Sequence, residues 1–409
     1  MYLLPDLVIQ ILFVVFIAVQ LTFFFFLILP FLNTLFSSLT KDKIKRNDSL
    51  PEKDFALIIT AYKNLKISIP LVESLLASNY SNYHIYLIAD NCPAESIPIR
   101  SEKLSVLFPD NPLNSKVNSI KYGISNFVRN HDHIAIFDPD NLSPPDFLKV
   151  VNSYVSKGFD AVQGRRVAKN LNSVYACLDA IGEMYYNYIV REATYRLGSS
   201  AVIAGSAMSV ESGLFREIFA DESFNADKRL IIAEDKLLQY EIVKRNKRIA
   251  FARDAVVYDE KVDTGKEVQK QKTRWLNSYF KHLNLGTDLI KRGIVKLNFN
   301  QFYFGLNIAI PPLIVINGVS FIFMIVNLFV DKVYSLVWLT GFFLFAVNLF
   351  IVLLINKADR KIWMAFLGLP IFLYKQFLAI LNLKQSDKDF LVTEKKKIVS
   401  INEVMKNKN

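Results

Sequence analysis

Residues 133–141 read HIAIFDPDN, an apolar run followed directly by two acidic side chains. The run has the length of a strand and ends in polar residues, which predicts a buried strand with Asp138 and Asp140 just beyond its end. Two carboxylates at this spacing lie close enough to share Mg²⁺ or Mn²⁺, ions that commonly sit between carboxylates and substrate phosphates. An Asp-x-Asp pair is frequent by chance, so its meaning depends on the sequence around it.

Three further apolar runs of the same form lie on both sides of this stretch. They are FALIITAY (55–62), YHIYLIAD (83–90) and FDAVQGRR (159–166), separated by longer segments of helical pattern. This alternation predicts an α/β domain of Rossmann type with a mainly parallel sheet. Ligands of such sheets bind at the carboxyl ends of the strands. The polar residues that end these runs are therefore the candidates for chemistry.

Long apolar segments at both ends of the chain predict membrane helices. Leu7–Leu32 is long enough to cross a bilayer core of about 30 Å. Phe302–Val330 and Val333–Asn356 follow the α/β domain and predict a helical hairpin. Basic residues after the first segment and after the hairpin place the N-terminus outside and the α/β domain in the cytosol by the positive-inside rule. We therefore expect an integral protein of the plasma membrane.

Two other segments are predicted to lie at the membrane surface. Trp275–Lys296 is amphipathic, and Ile362–Leu383 is apolar but contains Pro370 and the pair Lys375-Gln376, which favours an interfacial or re-entrant segment over a span. The resulting division of the chain is a membrane helix (1–35), a cytosolic catalytic domain (36–300), a membrane hairpin with the interfacial or re-entrant segment (301–384) and a basic cytosolic tail (385–409).

Composition narrows the class of protein. The chain is 52% hydrophobic and carries a net charge of +11. In a membrane protein such an excess is typical of cytoplasmic flanks that contact anionic lipids, and no nucleic-acid-binding motif is present, so we expect membrane lipids and no nucleic acid as partners. The predicted spans are almost free of charge, which disfavours a transporter. The two cysteines, far apart in sequence, are typical of a reducing compartment.

Other polar positions have both a structural and a chemical interpretation. Asp90 ends the second apolar run, where acids often cap a following helix. Glu234-Asp235 fits either the first turn of a helix or a general base that accepts a proton from a hydroxyl. Arg165-Arg166 fits either a phosphate contact or the flank of a strand, and these alternatives stay open.

The segment Gln271-Lys272-Thr273-Arg274-Trp275 is the most specific local pattern. A basic, aromatic segment of this kind fits the surface of a membrane. With the acidic motifs before it and membrane helices after it, the order resembles that of the family-2 glycosyltransferases with membrane-embedded C-termini. That group contains the cellulose, chitin and hyaluronan synthases. Its motifs are an early Asp, Asp-x-Asp, an acidic pair and Gln-x-x-Arg-Trp, found here at Asp90, Asp138/Asp140, Glu234-Asp235 and Gln271/Arg274/Trp275.

The resemblance implies a fold of the GT-A type and a role for each matching residue. On the donor side, Ala61, Tyr62, Asp90, Lys116 and Asp138 would contact a nucleotide sugar, and Gln271 and Arg274 would hold its diphosphate. Asp140, with Asp138, would bind the metal. Asp235, paired with Glu234, would be the catalytic base, and Gly205, Ser206 and Trp275 would contact the acceptor.

The implied reaction is transfer of a sugar from a nucleotide-diphosphate sugar, expected to be a UDP-sugar, to a growing glycan at the membrane. It would invert the anomeric configuration and need Mg²⁺ or Mn²⁺. The alternative is addition of a single sugar to a lipid acceptor, as in the ceramide glucosyltransferases, which carry a related Arg-Trp motif.

Overall fold

The computed structural model describes residues 3–40, 44–93, 97–221, 234–381 and 397–406. Seven strands in these residues form one sheet. The strands are β1 (Phe55–Tyr62), β2 (Tyr83–Asp90), β3 (Leu104–Leu107), β4 (His133–Phe137), β5 (Ala161–Ala168), β6 (Met208–Glu211) and β7 (Ile249–Asp259).

The described helices fall into three groups. Those of the α/β domain are α2 (Ile69–Leu76), α3 (Lys116–Ser125), α4 (Phe147–Val155), α5 (Val174–Tyr186), α6 (Thr194–Arg196), α7 (Ser212–Ala220) and α8 (Glu234–Lys244). The long apolar helices are α1 (Leu3–Ser38), α11 (Leu313–Val330) and α12 (Lys332–Ile355). The others are α9 (Gly265–Val295), α10 (Phe299–Ala309), α13 (Arg360–Met364), α14 (Leu369–Leu381) and α15 (Ile401–Lys406).

The mainly parallel α/β sheet predicted from the apolar runs is confirmed. Its strand order is β3-β2-β1-β4-β6-β5-β7, and β6 alone among these strands is antiparallel to its neighbours. The chain builds outward from β1 to β3 on one side and then returns to place β4 on the other side of β1. A crevice forms at such a reversal, outside the carboxyl ends of the strands. The candidate site lies at this edge.

The core of the domain explains why the sheet forms here. Strands β1, β2 and β4 consist almost entirely of buried residues, as expected for parallel strands covered by helices on both faces. Phe55, Tyr83, Tyr86 and Phe137 are among the largest fully buried side chains. The short or partly polar strands β3, β6 and β7 were not among the predicted runs, because their apolar signal is weaker.

Among the described residues, α1, α11 and α12 are long and apolar enough to cross a membrane. Polar side chains join them: the amide oxygen of Gln20 accepts hydrogen bonds from Asn327 Nδ2 at 2.5 Å and from Trp338 Nε1 at 3.1 Å. Such contacts between spanning helices stabilise their association, because hydrocarbon offers polar groups no other partner. Much of the outer surface of these helices is apolar and exposed, as a lipid-facing surface would be.

Three predicted boundaries need correction. The first helix runs to Ser38 and not to residue 35. The segment Phe302–Val330 is two helices, α10 and α11, because Pro311 and Pro312 interrupt it and proline has no N–H to donate. The amphipathic helix predicted near 275–296 begins at Gly265, so it and Gln271–Trp275 form one helix, α9.

The C-terminal region is only partly described. The predicted segment Ile362–Leu383 contains α13, a short 3₁₀ turn and α14, which packs against α9. Its interfacial placement stays a prediction. Residues 382–384, and residues 385–396 and 407–409 of the predicted tail, lie outside the described residues. Between them, Val404 is buried and α15 lies against α2, so this part of the tail packs on the α/β domain.

Helices α9 and α10 approach each other closely through glycines. A Cβ at Gly293 would lie 2.3 Å from the backbone nitrogen of Phe302, and one at Gly305 would lie 2.7 Å from the nitrogen of Ile290. No side chain fits at either position without separating the helices. The contact fixes α9 relative to the first helix that follows it.

We predict that Gly293→Ala destabilises the protein, because the added methyl group would overlap backbone atoms that cannot move aside. Overpacking of this kind costs about 1–3 kcal/mol. The control is Gly182→Ala in α5, where a Cβ meets no atom within 4 Å; alanine there should leave stability equal or slightly higher. Thermal unfolding in detergent measures both, and equal midpoints for the two variants would contradict the close contact.

Candidate active site

The ends of β1 and β2 form one wall of the crevice. Tyr62 and Asp90 end these strands and are paired in register. The Tyr62 hydroxyl donates to Asn114 Oδ1 at 2.9 Å, and Asp90 Oδ1 accepts from the Leu113 backbone nitrogen at 2.7 Å. Asp90 is only 2% exposed. It therefore holds the loop that leads into α3, and its predicted contact with the donor stays a prediction.

The other residue predicted beside Tyr62 lies elsewhere. The side chain of Ala61 is buried in the hydrophobic core between the strands and the helices. Alternate residues of a strand face opposite sides of the sheet, so the side chains of Tyr62 and Ala61 point in different directions; the predicted contact of Ala61 with the donor stays a prediction. Of the two, Tyr62 is the side chain at the crevice.

Lys116, the first residue of α3, is the centre of the site. Its ammonium group donates to Asp138 Oδ1 at 2.8 Å and to the Gly205 carbonyl oxygen at 2.9 Å, and lies 3.2 Å from Glu234 Oε1. Burial alone would lower the pKa of Lys116, but the carboxylates of Asp138 and Glu234 outweigh it and raise that pKa above its usual value. The group therefore stays charged in a largely enclosed setting.

Glu234 and Asp235 have different surroundings although they are adjacent at the start of α8. Burial raises the pKa of Glu234, and the Lys116 ammonium opposes that shift. Asp235 Oδ2 instead faces Gly205, 3.5 Å from where a Cβ of that residue would stand. One acid is thus paired with the lysine, and the other faces the loop before β6.

That loop has an unusual backbone. Gly205 and Ala207 both have positive φ, 77° and 55°. A positive φ is costly for a residue with a side chain, and such strain tends to persist where the surroundings impose it. Gln163 imposes it here: its Nε2 donates to the carbonyl oxygens of Ser206 at 3.0 Å and Ala207 at 3.2 Å. Ser206 itself is fully buried, and its predicted contact with an acceptor stays a prediction.

Asp140 accepts hydrogen bonds from two other parts of the chain. Its Oδ2 accepts from the Glu260 backbone nitrogen at 3.1 Å. Its carbonyl oxygen accepts from Lys169 Nζ at 2.9 Å, and the same ammonium group donates to the carbonyl oxygen of Lys397 at 2.9 Å. Lys169 therefore links the described part of the tail to the second acid of the Asp-x-Asp pair.

A buried ionic network, which the sequence did not reveal as a unit, lies behind the loop. Lys261 Nζ lies 3.0 Å from Asp259 and 3.2 Å from Glu183, and Arg191 contacts Glu183 at 2.7 Å. Arg166 joins the network through Asp259 and also donates to the Ala204 carbonyl oxygen at 2.7 Å. Of the two interpretations of Arg166, the structure shows the one in which it supports the fold.

Helix α9 brings the Gln-x-x-Arg-Trp segment to the crevice. Gln271 is buried, and burial lowers the pKa of Arg274 while nearby carboxylates act in the opposite direction. Those carboxylates are Asp138, Glu234 and Asp235. Trp275 is 39% exposed, with Lys272 Nζ 4.1 Å from its ring centroid. The structure thus joins the Asp-x-Asp, acidic-pair and Arg-Trp motifs around Lys116, with Asp90 at the far end of the crevice.

The residues present fit a divalent cation in one particular way. Within the part of the chain that the structure describes, no group of three or more His, Cys, Asp or Glu side chains is arranged to hold a metal ion. The Asp138 and Asp140 carboxylates supply oxygen ligands of the kind that Mg²⁺ and Mn²⁺ prefer, but too few for a complete shell. A metal here would need ligands from a substrate, as in sites that bind a metal together with phosphates.

The comparisons with known proteins agree with this geometry. Residues 51–278, more than half of the chain, match the model of the family described as "Glycosyltransferase like family 2". The chain belongs to this family. The match begins just before β1 and ends beyond Trp275, so it includes all four motifs. A search of curated proteins found no match.

Two solved structures are similar to this chain to different degrees. The mannosyltransferase PcManGT from Pyrobaculum calidifontis, in complex with GDP-Man and Mn²⁺, is 13% identical, with a TM-score of 0.56 over 91% of this chain and 98% of that one. TarS of S. aureus is 14% identical, with a TM-score of 0.39 over 58% of this chain and 40% of that one. The first likeness supports the GT-A-like fold of the family member described here.

The raised pKa of Glu234 predicts a pH dependence of stability. The folded state binds a proton on the Glu234 carboxyl group more tightly than the unfolded chain does. The stabilisation of the fold by this proton is therefore present below the ordinary pKa of 4.5 and is lost as the pH rises through the higher pKa of the folded state. Glu234→Gln should remove that part of the slope. The matched control, Glu217→Gln, changes an exposed carboxylate. Unfolding midpoints across that range test this, and parallel profiles for wild type and Glu234→Gln would contradict it.

Proposed function

We propose that this protein is a metal-dependent, inverting glycosyltransferase that moves a sugar from a nucleotide-diphosphate sugar to a growing glycan at the membrane. One observation carries the proposal: Lys116 joins Asp138, the Gly205 loop and the Glu234-Asp235 pair in one cluster. This cluster combines a positive charge for a diphosphate with a carboxylate suited to accept a proton. Both are needed at a single crevice for sugar transfer with a diphosphate leaving group.

The donor would lie along the crevice from β2 to α9. Its base and ribose would be at Tyr62 and Asp90, and its diphosphate at Lys116 and Arg274. An arginine suits this task because its planar guanidinium makes bidentate contacts with phosphate oxygens. A divalent ion held by Asp138 and Asp140 would neutralise charge on the departing diphosphate. PcManGT binds GDP-Man and Mn²⁺, so we include GDP-sugars beside UDP-sugars as candidate donors.

Asp235 is the proposed base. An acceptor hydroxyl attacks the anomeric carbon on the side opposite the leaving diphosphate, and Asp235 accepts its proton, so the configuration inverts. The pairing of Glu234 with Lys116 supports this choice, because it leaves Asp235 as the acid that faces the Gly205 loop. Gly205, Ser206 and Trp275 are proposed to surround the acceptor.

The membrane helices support a location beside the lipid. We propose the plasma membrane, with the catalytic domain in the cytosol, where nucleotide sugars are made. Lys357, Arg360 and Lys361 follow α12 on the side of the catalytic domain, in agreement with the positive-inside rule. Arg196 donates to the Thr40 carbonyl oxygen just after α1, so the domain is tied directly to the end of the first helix.

The donor is identified by a screen of the purified full-length protein with UDP- and GDP-sugars, measuring release of the nucleoside diphosphate. With the active donor, Asp235→Asn should lower the rate by roughly 100-fold to 10 000-fold, since an amide cannot accept the proton. Asp254→Asn, on an exposed part of β7, is the matched control. Turnover retained by Asp235→Asn would refute its role as the base.

The metal requirement is tested separately. Removal of divalent ions with a chelator should abolish turnover, and Mn²⁺ or Mg²⁺ in excess should restore it. Asp140→Ala should raise the metal concentration needed for half-maximal activity by about tenfold or more, since a charged ligand is lost. If full turnover persists after thorough chelation, the Asp-x-Asp pair does not hold a catalytic metal.

A further inference from the structure

One face of α9 carries a line of polar atoms that are buried and have no hydrogen-bond partner among the described residues. They are Glu267 Oε2, Gln271 Oε1, Ser278 Oγ and His282 Nε2. The residues are spaced by four, seven and four positions, which at 3.6 residues per turn places all of them on one face. Arg274 belongs to the same face. The polar line therefore continues past the Gln-x-x-Arg-Trp segment by about two helical turns.

The line is energetically unusual. A buried polar atom without a partner costs about 1–3 kcal/mol, and native proteins contain few of them. Gln271 is 8% exposed and His282 is 7% exposed, so bulk water does not solvate them in this state. The unpartnered atoms lie along one face of α9, starting next to the proposed donor site. A ligand bound along this face would supply their missing hydrogen-bond partners.

The chemistry of these atoms limits what the ligand can be. His282 Nδ1 lies 2.8 Å from the Ser278 carbonyl oxygen. Because a carbonyl oxygen only accepts, Nδ1 must carry the proton and Nε2 is left as an acceptor. The unpartnered amide oxygen of Gln271 is also an acceptor. A ligand that satisfies both must donate hydrogen bonds, as sugar hydroxyls do and as an ionised phosphate does not.

The far end of the line is close to the proposed base. Helix α8 packs against α9, and the charges of Asp235 and Lys236 both act on His282. Burial lowers the pKa of His282, which favours the neutral form with a free acceptor nitrogen. A chain of hydroxyl-bearing units that lies along this face would therefore present one end beside Asp235.

We propose that Ser278 and His282 extend the acceptor site along α9 and bind hydroxyl groups of a carbohydrate acceptor. This deepens the proposed function and rests on it. The proposed ligand is a glycan, because Gln271 Oε1 and His282 Nε2 accept hydrogen bonds. They therefore favour sugar hydroxyls over the phosphate group of a lipid phosphate. Ser278 and His282 are binding residues here, one and two turns beyond Arg274, and take no part in the chemistry.

The test uses purified full-length protein in detergent with short oligosaccharides as probes, cellotetraose and chitotetraose, and a polyprenyl phosphate as the contrasting acceptor. Ser278→Ala and His282→Phe each remove one hydrogen-bonding group. Each should raise the Kd or KM for the oligosaccharide that binds by about tenfold, with the donor KM changed less than about twofold. His282→Gln, which keeps an acceptor oxygen, should recover part of the loss.

Thr287→Ala is the matched control, because Thr287 carries a hydroxyl on the opposite, exposed face of α9. It should match wild type in every measurement, and equal unfolding midpoints for all variants show that folding is intact.

Two outcomes separate this inference from the proposed function. The acceptor site along α9 is overturned if wild type turns over a donor but uses only the polyprenyl phosphate. It is also overturned if Ser278→Ala and His282→Phe bind the oligosaccharide as wild type does. In both cases the proposed glycosyltransferase activity is unaffected. If wild type releases no nucleoside diphosphate from any donor, the proposed function is overturned, and with it the acceptor site along α9.

Discussion

The structure of the site depends on one partly buried ammonium group, that of Lys116. It contacts an acid after β4, the carbonyl oxygen of Gly205 before β6 and an acid at the start of α8, so three separate parts of the chain meet on one charge. Removing one partner would leave a partly desolvated charge with fewer contacts, which is unfavourable. The arrangement thus fixes the positions of groups that a diphosphate and a hydroxyl would need.

A second ionic network keeps the first in place. Arg166 links the Ala204 carbonyl oxygen to Asp259, and Lys261 and Glu183 complete the charge balance beneath it. With Gln163, these residues hold the loop in which Ala207 keeps a positive φ, a conformation that a residue with a side chain does not favour by itself. The strain at Ala207 is therefore supported by the ionic network behind the loop.

The sequence predicted the parts with strong local signals and missed those that depend on distant partners. Strands β1, β2 and β4 are continuous apolar runs, and each of the four motifs is a single residue or a short segment that can be recognised in the sequence. Gln163, Glu183 and Lys261 have no such signature, because their roles arise from contacts with residues far away in sequence. Which of two adjacent strand residues is exposed at the crevice was not predictable either, because the sequence does not show that Ala61 is buried and that Tyr62 is exposed. The sequence analysis treated Phe302–Val330 as one helix because the whole segment is hydrophobic. The break into α10 and α11 follows from Pro311 and Pro312, which hydrophobicity alone does not reveal.

Helix α9 connects the crevice to the C-terminal helices. Its first turns carry Gln271 and Arg274 to the crevice, and its last turns are fixed against α10 by Gly293 and Gly305. Because a helix is stiff, a close contact at one end limits how far groups at the other end can move. A larger side chain at Gly293 or Gly305 would thus shift Arg274 and the polar line relative to Asp235. The glycines that bring α10 close are in this sense part of the geometry of the site, although Gly293 lies about 30 Å along the helix from Arg274.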